Sequence, residues 1–497
     1  YGILGAEEAY RIIHQPATME EALQARKRMI FEEFFVFSAG LSLMRAARAQ
    51  KKTDPYRSTD LTPFLRQLPF TLTGAQQRAI DEILADLTKG APMNRLVQGD
   101  VGSGKTMVAA AAAYCAARNG CQTALMAPTE ILAEQHYASL SGLFASLGIS
   151  VALLTGSMAQ KEKKAVREGL QEGTIQIAVG THALISDSTV FQNLGLVITD
   201  EQHRFGVGQR SKLSAKGADP HLLVMSATPI PRTLALLMYG DLDVSVLDQL
   251  PPGRQVVDTF LVGESYRARI NAFIRKQVAE GHQCFVVCPA VEENGELGIK
   301  AATAWADTLQ QTVFPDLRIA LLHGQMRGEE KEAAMAAFAR QEADVLVATT
   351  VIEVGVDVPN ATLMVIEDAD RFGLSQLHQL RGRVGRGSSK SYCILTTHNR
   401  NEDTLRRLKA LCKTTDGFRI AEEDLRLRGP GDFFGSRQSG LPAFRMADLS
   451  FDLGLLKQAQ EASAQWIENS GTAHTPEADA LRQRVSQLFQ RSEGTMN

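Results

Sequence analysis

The sequence GDVGSGKT at residues 99–106 follows directly after the apolar pair Leu96-Val97. This spacing fits GxxxxGK[ST], in which glycines let backbone N–H groups converge on a phosphate at the start of a helix. In this pattern the Lys contributes a positive charge to the β- and γ-phosphates, and the Thr offers a hydroxyl to Mg²⁺. The segment therefore predicts a nucleotide site formed by Gly99, Gly102, Ser103, Gly104, Lys105 and Thr106, with Lys105 also catalytic.

A pair of carboxylates, Asp200-Glu201, comes directly after the apolar run 196–198 and its Thr. Asp200 would hold the Mg²⁺ shell together with Thr106, and Glu201 would orient and polarise the attacking water. Alone, such a pair is more often a solvated strand end. Together with the phosphate loop, it predicts nucleotide hydrolysis.

A Gly-rich basic turn, QLRGRVGRG at residues 379–387, places Arg383 and Arg386 three residues apart. Cations that reach across a cleft stabilise the charge developing on the γ-phosphate, a role worth about 10³ to 10⁵ in rate in well-studied NTPases. One such Arg by itself would be an ordinary basic turn. The combination predicts an ATPase with a cleft that closes, and it argues against a kinase or a simple switch GTPase.

Short apolar runs that alternate with helix-like spacers must position these residues. Five runs lie between residues 94 and 228, and five more lie between residues 284 and 397. Buried parallel strands joined by helices produce this pattern. The sequence therefore predicts an α/β fold with two tandem parallel-sheet domains, which are separated by the break at Pro251-Pro252-Gly253.

Helical segments are predicted at both ends of the chain. Leu23, Ile30, Phe34, Phe37, Leu41 and Met44 have the spacing of a long helix over residues 20–50 that buries one stripe. After residue 400 the pattern changes to helix-like segments, interrupted by the Gly-rich stretch 428–440. An amphipathic tail over residues 448–489 follows.

Composition limits the classes of protein that need to be considered. The 53 Lys and Arg against 56 Asp and Glu give a net charge of −3, so any nucleic-acid site must be a local basic groove. The longest apolar stretch, residues 107–117, is too short to span a bilayer.

Six scattered cysteines predict a reducing cytoplasmic interior and no zinc site. Because the chain starts at Tyr1 without an initiator Met or a leader, we expect a fragment that lacks its N-terminal part.

Short segments in order along the chain resemble the motifs of superfamily 2 helicases, over nearly all of the chain after residue 60. Residues 70–76 (FTLTGAQ) resemble the adenine-reading Q motif, in which Gln76 could offer a donor and an acceptor to the base. Residues 348–357 resemble a motif in which Asp357 would meet the ribose. The resemblance further implies coupling roles for His203, Ser226, Thr228 and Gln379, and DNA contacts at Thr129, Thr181 and Thr349.

Longer segments resemble the RecG branch of that superfamily, which remodels stalled replication forks and Holliday junctions in recombination and repair. They are 200–207 (DEQHRFGV), 322–326 (LHGQM), 367–379 (EDADRFGLSQLHQ) and 424–440 (DLRLRGPGDFFGSRQSG). The last segment looks like a translocation motif, in which a helical hairpin leads into a loop that runs back toward the DNA. The resemblance implies an ATP-dependent double-stranded DNA translocase or helicase, with translocation roles for Arg407, Arg428 and Gln438.

The same resemblance implies an organisation and a set of partners. Members of that branch open with an OB-like wedge domain, so residues 1–60 would be the linker helix and the remnant after a missing wedge. Residues 61–250 would form the ATP-binding RecA-like domain, 251–400 the second RecA-like domain, and 401–497 the translocation hairpin and C-terminal helical region. The expected partners are ATP, Mg²⁺, branched and double-stranded DNA, and a single-strand DNA-binding protein. A bacterial cytoplasmic location is expected, and a monomer is the default.

Three alternatives remain open from the residues. A translocase of the transcription-repair coupling type would be expected to have Glu where Gln202 stands, with a polymerase-binding domain upstream; neither is seen in the sequence. An ATP-gated clamp would hold nucleic acid without separating strands. An RNA helicase would share this core, because most contacts in such cores go to phosphates and carry little base information.

Overall fold

The computed structural model describes two parallel β-sheets, each covered by helices, and a helical layer to which both ends of the chain contribute. This architecture confirms the predicted α/β class of two tandem RecA-like domains with an N-terminal linker helix and a C-terminal helical hairpin. The residues described are 2–201, 207–227, 242–251, 255–289, 296–349, 358–387, 389–434, 444–448, 452–470 and 475–494.

The first sheet has seven parallel strands in the order β3-β4-β2-β5-β6-β1-β7. Strands β5, β6 and β1 are neighbours, so their carboxyl ends lie side by side at one edge of the sheet. The strands are β1 (Asn94–Gly99), β2 (Gln122–Met126), β3 (Val151–Leu154), β4 (Ile177–Gly180), β5 (Leu194–Thr199), β6 (His221–Ser226) and β7 (Asp243–Leu247).

The second sheet has six parallel strands in the order β10-β11-β9-β12-β13-β8. Its central strands are almost completely buried, as expected for a parallel sheet with helices on both faces. The strands are β8 (Val257–Val262), β9 (Gln283–Val287), β10 (Ile319–Leu322), β11 (Val345–Ala348), β12 (Ala361–Ile366) and β13 (Ser391–Thr396).

Three strands were absent from the sequence prediction, namely β3, β7 and β8. Each lies at the edge of its sheet and is only partly buried. Polar residues interrupt the sequences of β7 (Ser245) and β8 (Asp258 and Thr259), so these two strands lack the continuous apolar run on which the prediction relied. Strand β3 (VALL) does contain such a run and was missed nonetheless. The ten apolar runs that were predicted all contain strands.

Helix α2 (Met19–Ala49) is the long helix predicted near the start of the chain, and the Thr18 hydroxyl caps it by accepting from the N–H of Glu21. Its middle packs on both the helix α15 (Leu453–Ser470) and the first sheet through Ile30, Phe34 and Phe37. The predicted apolar stripe is too long, since Leu23 and Met44 are exposed. These two residues lie toward the helix ends, outside the apolar cluster formed by the middle of α2.

The other helices cover the sheets or form the terminal layer. Helices α13 and α14 form the hairpin that follows the second sheet, and α15 and α16 pack on α2. The helices are α1 (Ala6–His14), α3 (Thr62–Leu65), α4 (Gly74–Leu87), α5 (Lys105–Arg118), α6 (Glu130–Ala145), α7 (Gln160–Glu172), α8 (Val207–Ser214), α9 (Arg267–Ala279), α10 (Glu296–Thr308), α11 (Gly328–Ala339), α12 (Leu374–Arg381), α13 (Glu402–Lys413), α14 (Gly417–Phe434), α15 (Leu453–Ser470) and α16 (Pro476–Gly494).

The strands of the first sheet fall within residues 61–250 and those of the second within 251–400. The domain boundaries themselves stay predictions. Among the helices that the structure describes, none combines the length and apolar character needed to cross a membrane.

A buried histidine makes the stability of the first domain depend on pH. His221 begins β6, where its Nδ1 accepts from the N–H of Met93 at 3.0 Å and its ring packs edge-on against Tyr56. Burial lowers the pKa of His221 to about 4, although the charge of Asp86 opposes this shift. The unfolded chain therefore binds a proton at this site in a pH range where the folded domain does not.

When the pH is lowered from about 7.5 to 5, we expect His221 to reduce the free energy of unfolding of the first domain by about 2 kcal/mol. The sign follows because stability is lost as pH falls below the unfolded pKa, until the folded pKa is reached. Urea unfolding at both pH values measures the loss. His221→Asn keeps an acceptor for Met93 but has no titrating ring. The decrease in unfolding free energy on acidification should therefore be about 2 kcal/mol smaller in this variant than in the parent. An equal pH dependence in the two proteins would contradict the assignment.

Candidate active site

Three neighbouring strand ends supply the chemistry-bearing residues of the first domain. Strand β1 leads into the phosphate loop, β5 into Asp200-Glu201, and β6 ends at Ser226 beside Ala227. Loops at the carboxyl ends of parallel strands are where open α/β sheets bind their ligands. The fold therefore brings together residues that are far apart in the sequence, as predicted from the apolar runs that precede them.

The phosphate loop needs its glycines for two reasons. Gly102 and Gly104 have φ values of +75° and +83°, in the left-handed region that other residues rarely adopt. Side-chain atoms at Gly99 or Gly104 would also collide with neighbours: a Cβ on Gly99 would lie 2.5 Å from Ser103 Oγ, and one on Gly104 would overlap the amide of Gln76. The loop is thus a tight backbone cradle that ends at the first residue of α5.

The polar groups around this cradle fit a phosphate ligand. Lys105 is buried, and its Nζ donates to the carbonyl oxygens of Gly99 and Asp100 at 2.8 and 2.9 Å, which holds the ammonium at the loop. Ser103 Oγ is buried and has no hydrogen-bond partner among the described residues. Thr106 lies half-buried in the first turn of α5, at the end of the helix that carries the positive end of the helix dipole.

Asp200 is held as a carboxylate by its neighbours. His136, on α6, places Nε2 2.8 Å from Asp200 Oδ2, and the N–H of Glu201 donates to Oδ1 at 3.0 Å. Burial alone would raise the pKa of Asp200, but the hydrogen bond and charge of His136, with the charge of Lys105, hold that pKa below its ordinary value. An ionised, oriented carboxylate of this kind suits a Mg²⁺ ligand.

Glu201 has the opposite electrostatic character. Burial and the charge of Asp200 raise its pKa above the ordinary value, while Lys105, Arg383 and the N–H of Ala227 oppose this shift. Its backbone has a φ of +51°, a left-handed conformation that is uncommon for a residue with a side chain and that often marks functional sites. A buried carboxylate with a raised pKa is suited to accept a proton from water.

The arginine turn of the second domain lies against the phosphate loop of the first. Arg383 in this turn is 6% exposed, and its positive charge opposes the rise in the pKa of Glu201. The turn packs directly on the phosphate loop, because a Cβ on Gly382 would lie 2.9 Å from Cβ of Val101. Arg386 donates from Nε to the carbonyl of Gly382 at 3.2 Å. Gln379 is buried in α12.

Gln76 makes protein contacts with both ends of its amide. Its Oε1 accepts from the N–H of Thr73 at 2.9 Å, and its Nε2 donates to the carbonyl of Ser103 at 3.0 Å. The side chain thus completes the capping box of α4 and ties that helix to the phosphate loop. Each end of the amide retains capacity for one more hydrogen bond, and the predicted contact with adenine stays a prediction.

An open groove of about 520 Å³ lies beside Gln76, lined by residues 65, 68–74 and 77. The ring of Phe70 in this groove is 43% exposed. An exposed aromatic face offers a flat apolar surface on which a base could stack.

The three threonines predicted to track DNA lie at element ends. Thr129 caps α6, where its hydroxyl accepts from the N–H of Leu132 at 3.4 Å. Thr181 and Thr349 follow β4 and β11 directly, and each is only 3% exposed. The structure therefore places little of the latter two side chains at the surface, and all three DNA roles stay predictions.

Arg407 is not a solvated cation on a helix face. From α13 it donates through Nη2 to the carbonyl of Asp370 at 2.6 Å, which joins the hairpin to the turn after β12. Arg428 lies within α14, but its side chain is not among the parts described. The predicted site residues His203, Thr228, Asp357 and Gln438 lie outside the described residues.

Several residues that no sequence motif singled out lie in the site. His136 contacts Asp200, and His378 contacts Asp100 of the phosphate loop. Arg381 contacts His378 in turn. His136 lies seven residues after Thr129, at a spacing that places both on one side of α6, but nothing in that spacing names Asp200 as its partner.

Three protein families match successive parts of the chain. They are the DEAD/DEAH box helicase family at residues 73–237, the helicase conserved C-terminal domain at 266–388, and the C-terminal part of domain 3 of the ATP-dependent DNA helicase RecG at 414–493. The fold and the site thus define a helicase core of superfamily 2.

Related proteins show to which family within this superfamily the chain belongs. The chain is 51% identical to the ATP-dependent DNA helicase RecG of Synechocystis sp., over 93% of this chain and 56% of that protein. It is 47% identical to RecG of Bacillus subtilis, over 96% of this chain and 70% of that protein. A solved structure of RecG bound to a three-way DNA junction superposes with a TM-score of 0.77 at 46% identity, covering 92% of this chain and 60% of that one. The chain belongs to the RecG family, and it spans little more than half the length of the Synechocystis protein.

Proposed function

We propose that the chain is the motor of an ATP-dependent double-stranded DNA translocase or helicase that remodels branched DNA in recombination and repair. One observation carries the proposal, which is that the arginine turn of the second domain packs directly on the phosphate loop of the first, where a Cβ on Gly382 would lie 2.9 Å from Cβ of Val101. A cleft with a carboxylate on one side and a cation on the other couples hydrolysis to the relative position of two domains. Family membership supplies the DNA substrate, since a RecG relative has been solved on a three-way junction.

ATP would bind with its phosphates on the backbone of the loop from Gly99 to Gly104 and its base toward Gln76 and Phe70. Lys105 would hold the β- and γ-phosphates, and Asp357 the ribose. Thr106 and Asp200 would hold Mg²⁺, which supplies neutralising charge to the phosphate oxygens when bound. His136 keeps Asp200 oriented and ionised for that role.

Glu201 would orient the attacking water and accept its proton, a role that its raised pKa favours. Arg383 and Arg386 would neutralise charge on the phosphoryl group as it is transferred. Ser226 and Thr228, on the loop whose Ala227 N–H contacts Glu201, would report hydrolysis to the rest of the motor, as would His203 and Gln379.

On the DNA side, Thr129, Thr181 and Thr349 would line the track. The hairpin of α13 and α14, with Arg407, Arg428 and Gln438, would convert closure of the cleft into movement along the duplex. A single-strand DNA-binding protein as partner, a monomeric state and a cytoplasmic location are part of the same proposal.

A single comparison tests the proposal against its alternatives. ATPase rates are measured with RNA, single-stranded DNA, linear duplex and a model fork at fixed salt, because phosphate contacts are strongly salt-dependent. We expect duplex and forked DNA to stimulate hydrolysis more strongly than RNA. Preferential stimulation by RNA would favour an RNA helicase and overturn the proposal.

We expect Arg428→Ala to uncouple movement from hydrolysis. DNA-stimulated ATPase should stay within about threefold of the parent, while displacement of a triplex-forming strand falls at least about tenfold. The matched control is Arg426→Ala, which removes an exposed Arg of the same helix that pairs with Glu423. A parallel loss of both activities would indicate a nucleotide or folding defect, and unimpaired displacement would remove Arg428 from the mechanism.

A further inference from the structure

The carboxylate of Asp100, the second residue of the phosphate loop, contacts three separate elements. Within the loop, its Oδ1 accepts from the N–H of Val101 at 2.6 Å. From α12, His378 places Nε2 2.5 Å from the same oxygen. From the start of α14, the N–H of Gly417 donates to Oδ2 at 3.3 Å. One side chain of the ATP-binding loop is therefore bonded to the second domain and to the hairpin.

The partners of His378 define its tautomer. Arg381 donates from Nη2 to His378 Nδ1 at 2.7 Å, and because a guanidinium only donates, Nδ1 must be an acceptor. The Nε2 atom then carries the hydrogen and donates to Asp100, whose carboxylate accepts. A neutral imidazole satisfies both neighbours, and the ring is 4% exposed.

Arg381 continues the chain of contacts into the hairpin. Its Nη1 donates to the carbonyl oxygens of Leu411 and Thr414 at 2.8 and 2.9 Å, at the end of α13. Arg381 is 3% exposed, so these bonds are formed away from water, where hydrogen-bond networks are stiff and costly to break. The junction between α13 and α14 is thus linked to Asp100 twice, through His378 and Arg381 and through Gly417.

The main chain of Asp100 faces the nucleotide site. Its carbonyl oxygen accepts from Lys105 Nζ, the cation expected to hold the phosphates, and also from the N–H of Ser103 at 3.1 Å. Asp100 therefore contacts Lys105 through its main chain, and His378 and the hairpin through its side chain. The arginine turn, in contrast, packs on the loop at Val101.

We propose that Asp100, His378, Arg381 and the N–H of Gly417 form a latch through which the position of the hairpin sets the geometry of the phosphate loop. The latch makes ATP hydrolysis respond to DNA held by the hairpin. The inference rests on the proposed function, and it assigns His378 and Gly417 as positioning residues for that site. Two discrete arrangements of one hydrogen-bonded element suffice for such coupling.

Four variants of the protein test the latch. His378→Leu removes both bonds of the ring, while His378→Gln offers an amide that can donate to Asp100 and accept from Arg381. Gly417→Pro removes only one N–H. Proline is tolerated there because Gly417 is the first residue of α14, directly after Asp416, whose side chain accepts from Phe418 and Arg419 as the helix cap. Gly417→Ala keeps the N–H and is its control.

The measured quantity is the ratio of ATPase rates with and without duplex DNA, together with ATP affinity. We expect His378→Leu to lower the ratio about tenfold and Gly417→Pro about threefold, with ATP affinity within about twofold of the parent. His378→Gln and Gly417→Ala should keep most of the stimulation.

A parent protein without any stimulation by DNA would refute the proposed function, and the latch with it. Stimulation in the parent that persists in folded His378→Leu would refute the latch alone. Equal losses in Gly417→Pro and Gly417→Ala would also refute the role of the N–H. If His378→Leu does not fold, as judged by circular dichroism, the Gly417 pair decides the matter.

Discussion

Replacing Glu201 by Gln is expected to lower ATP turnover about a thousandfold while ATP binding stays within about twofold of the parent. The amide keeps the shape of the side chain but cannot accept the proton of the attacking water. Burial and the neighbouring Asp200 already raise the pKa of Glu201, which is the property that suits it to this step. Single-turnover hydrolysis and binding of a fluorescent ATP analogue measure the two effects separately.

Two further variants serve as comparisons for Glu201→Gln. Lys105→Ala should lose hydrolysis as well, but together with ATP affinity, because it removes the cation at the phosphates. Glu172→Gln, at an exposed carboxylate at the end of α7, should change neither. Near-normal turnover in Glu201→Gln would reject Glu201 as the residue that orients and deprotonates water.

Arg383→Ala should lower ATP turnover about a hundredfold or more, while ATP affinity falls much less. The reason is that Arg383 lies in a turn of the second domain that packs on the phosphate loop, and its charge is needed most when charge develops on the transferred phosphoryl group. Arg386→Ala is expected to lower turnover as well, since it belongs to the same turn. Steady-state ATPase rates with saturating duplex DNA measure the loss, with ATP affinity measured in parallel.

Arg340→Ala is the matched control, because Arg340 is an exposed Arg of the second domain whose ion pair with Glu342 lies on the surface. This variant should behave like the parent. The opposite result would be a loss of ATP affinity in both Arg383→Ala and Arg386→Ala, with a normal ATPase rate once ATP is bound. The arginine turn would then serve in ATP binding, and the proposed role in stabilising the transition state would be wrong.

The sequence predicted the parts of this site that depend on local pattern. The phosphate loop is recognisable because its glycines, Lys and hydroxyl occur at fixed spacing after a buried strand. The position of Asp200 near that loop could be expected because the apolar run before it is a central strand, whose end lies at the same edge of the sheet. Strand β7 was missed because Ser245 interrupts its apolar run.

Contacts between distant residues could not be predicted from the same patterns. His136 and Asp200 are 64 positions apart, and Asp100 and His378 are 278 apart. Each pair is formed by the packing of whole elements, which spacing along the chain does not encode. Gln76 is a related case, since its residue type indicated a hydrogen-bonding role while its partners, Thr73 and Ser103, emerged only from the packing of α4 on the phosphate loop.

The central claim is that this ATPase cleft drives movement along double-stranded DNA. Displacement of a triplex-forming strand from a linear duplex tests it most directly, because no strand of the duplex needs to be separated. We expect ATP-dependent displacement by the parent, loss of displacement in Glu201→Gln, and little displacement by Arg428→Ala despite continued hydrolysis. DNA-stimulated hydrolysis by the parent without any displacement would contradict the claim and identify an ATP-gated clamp.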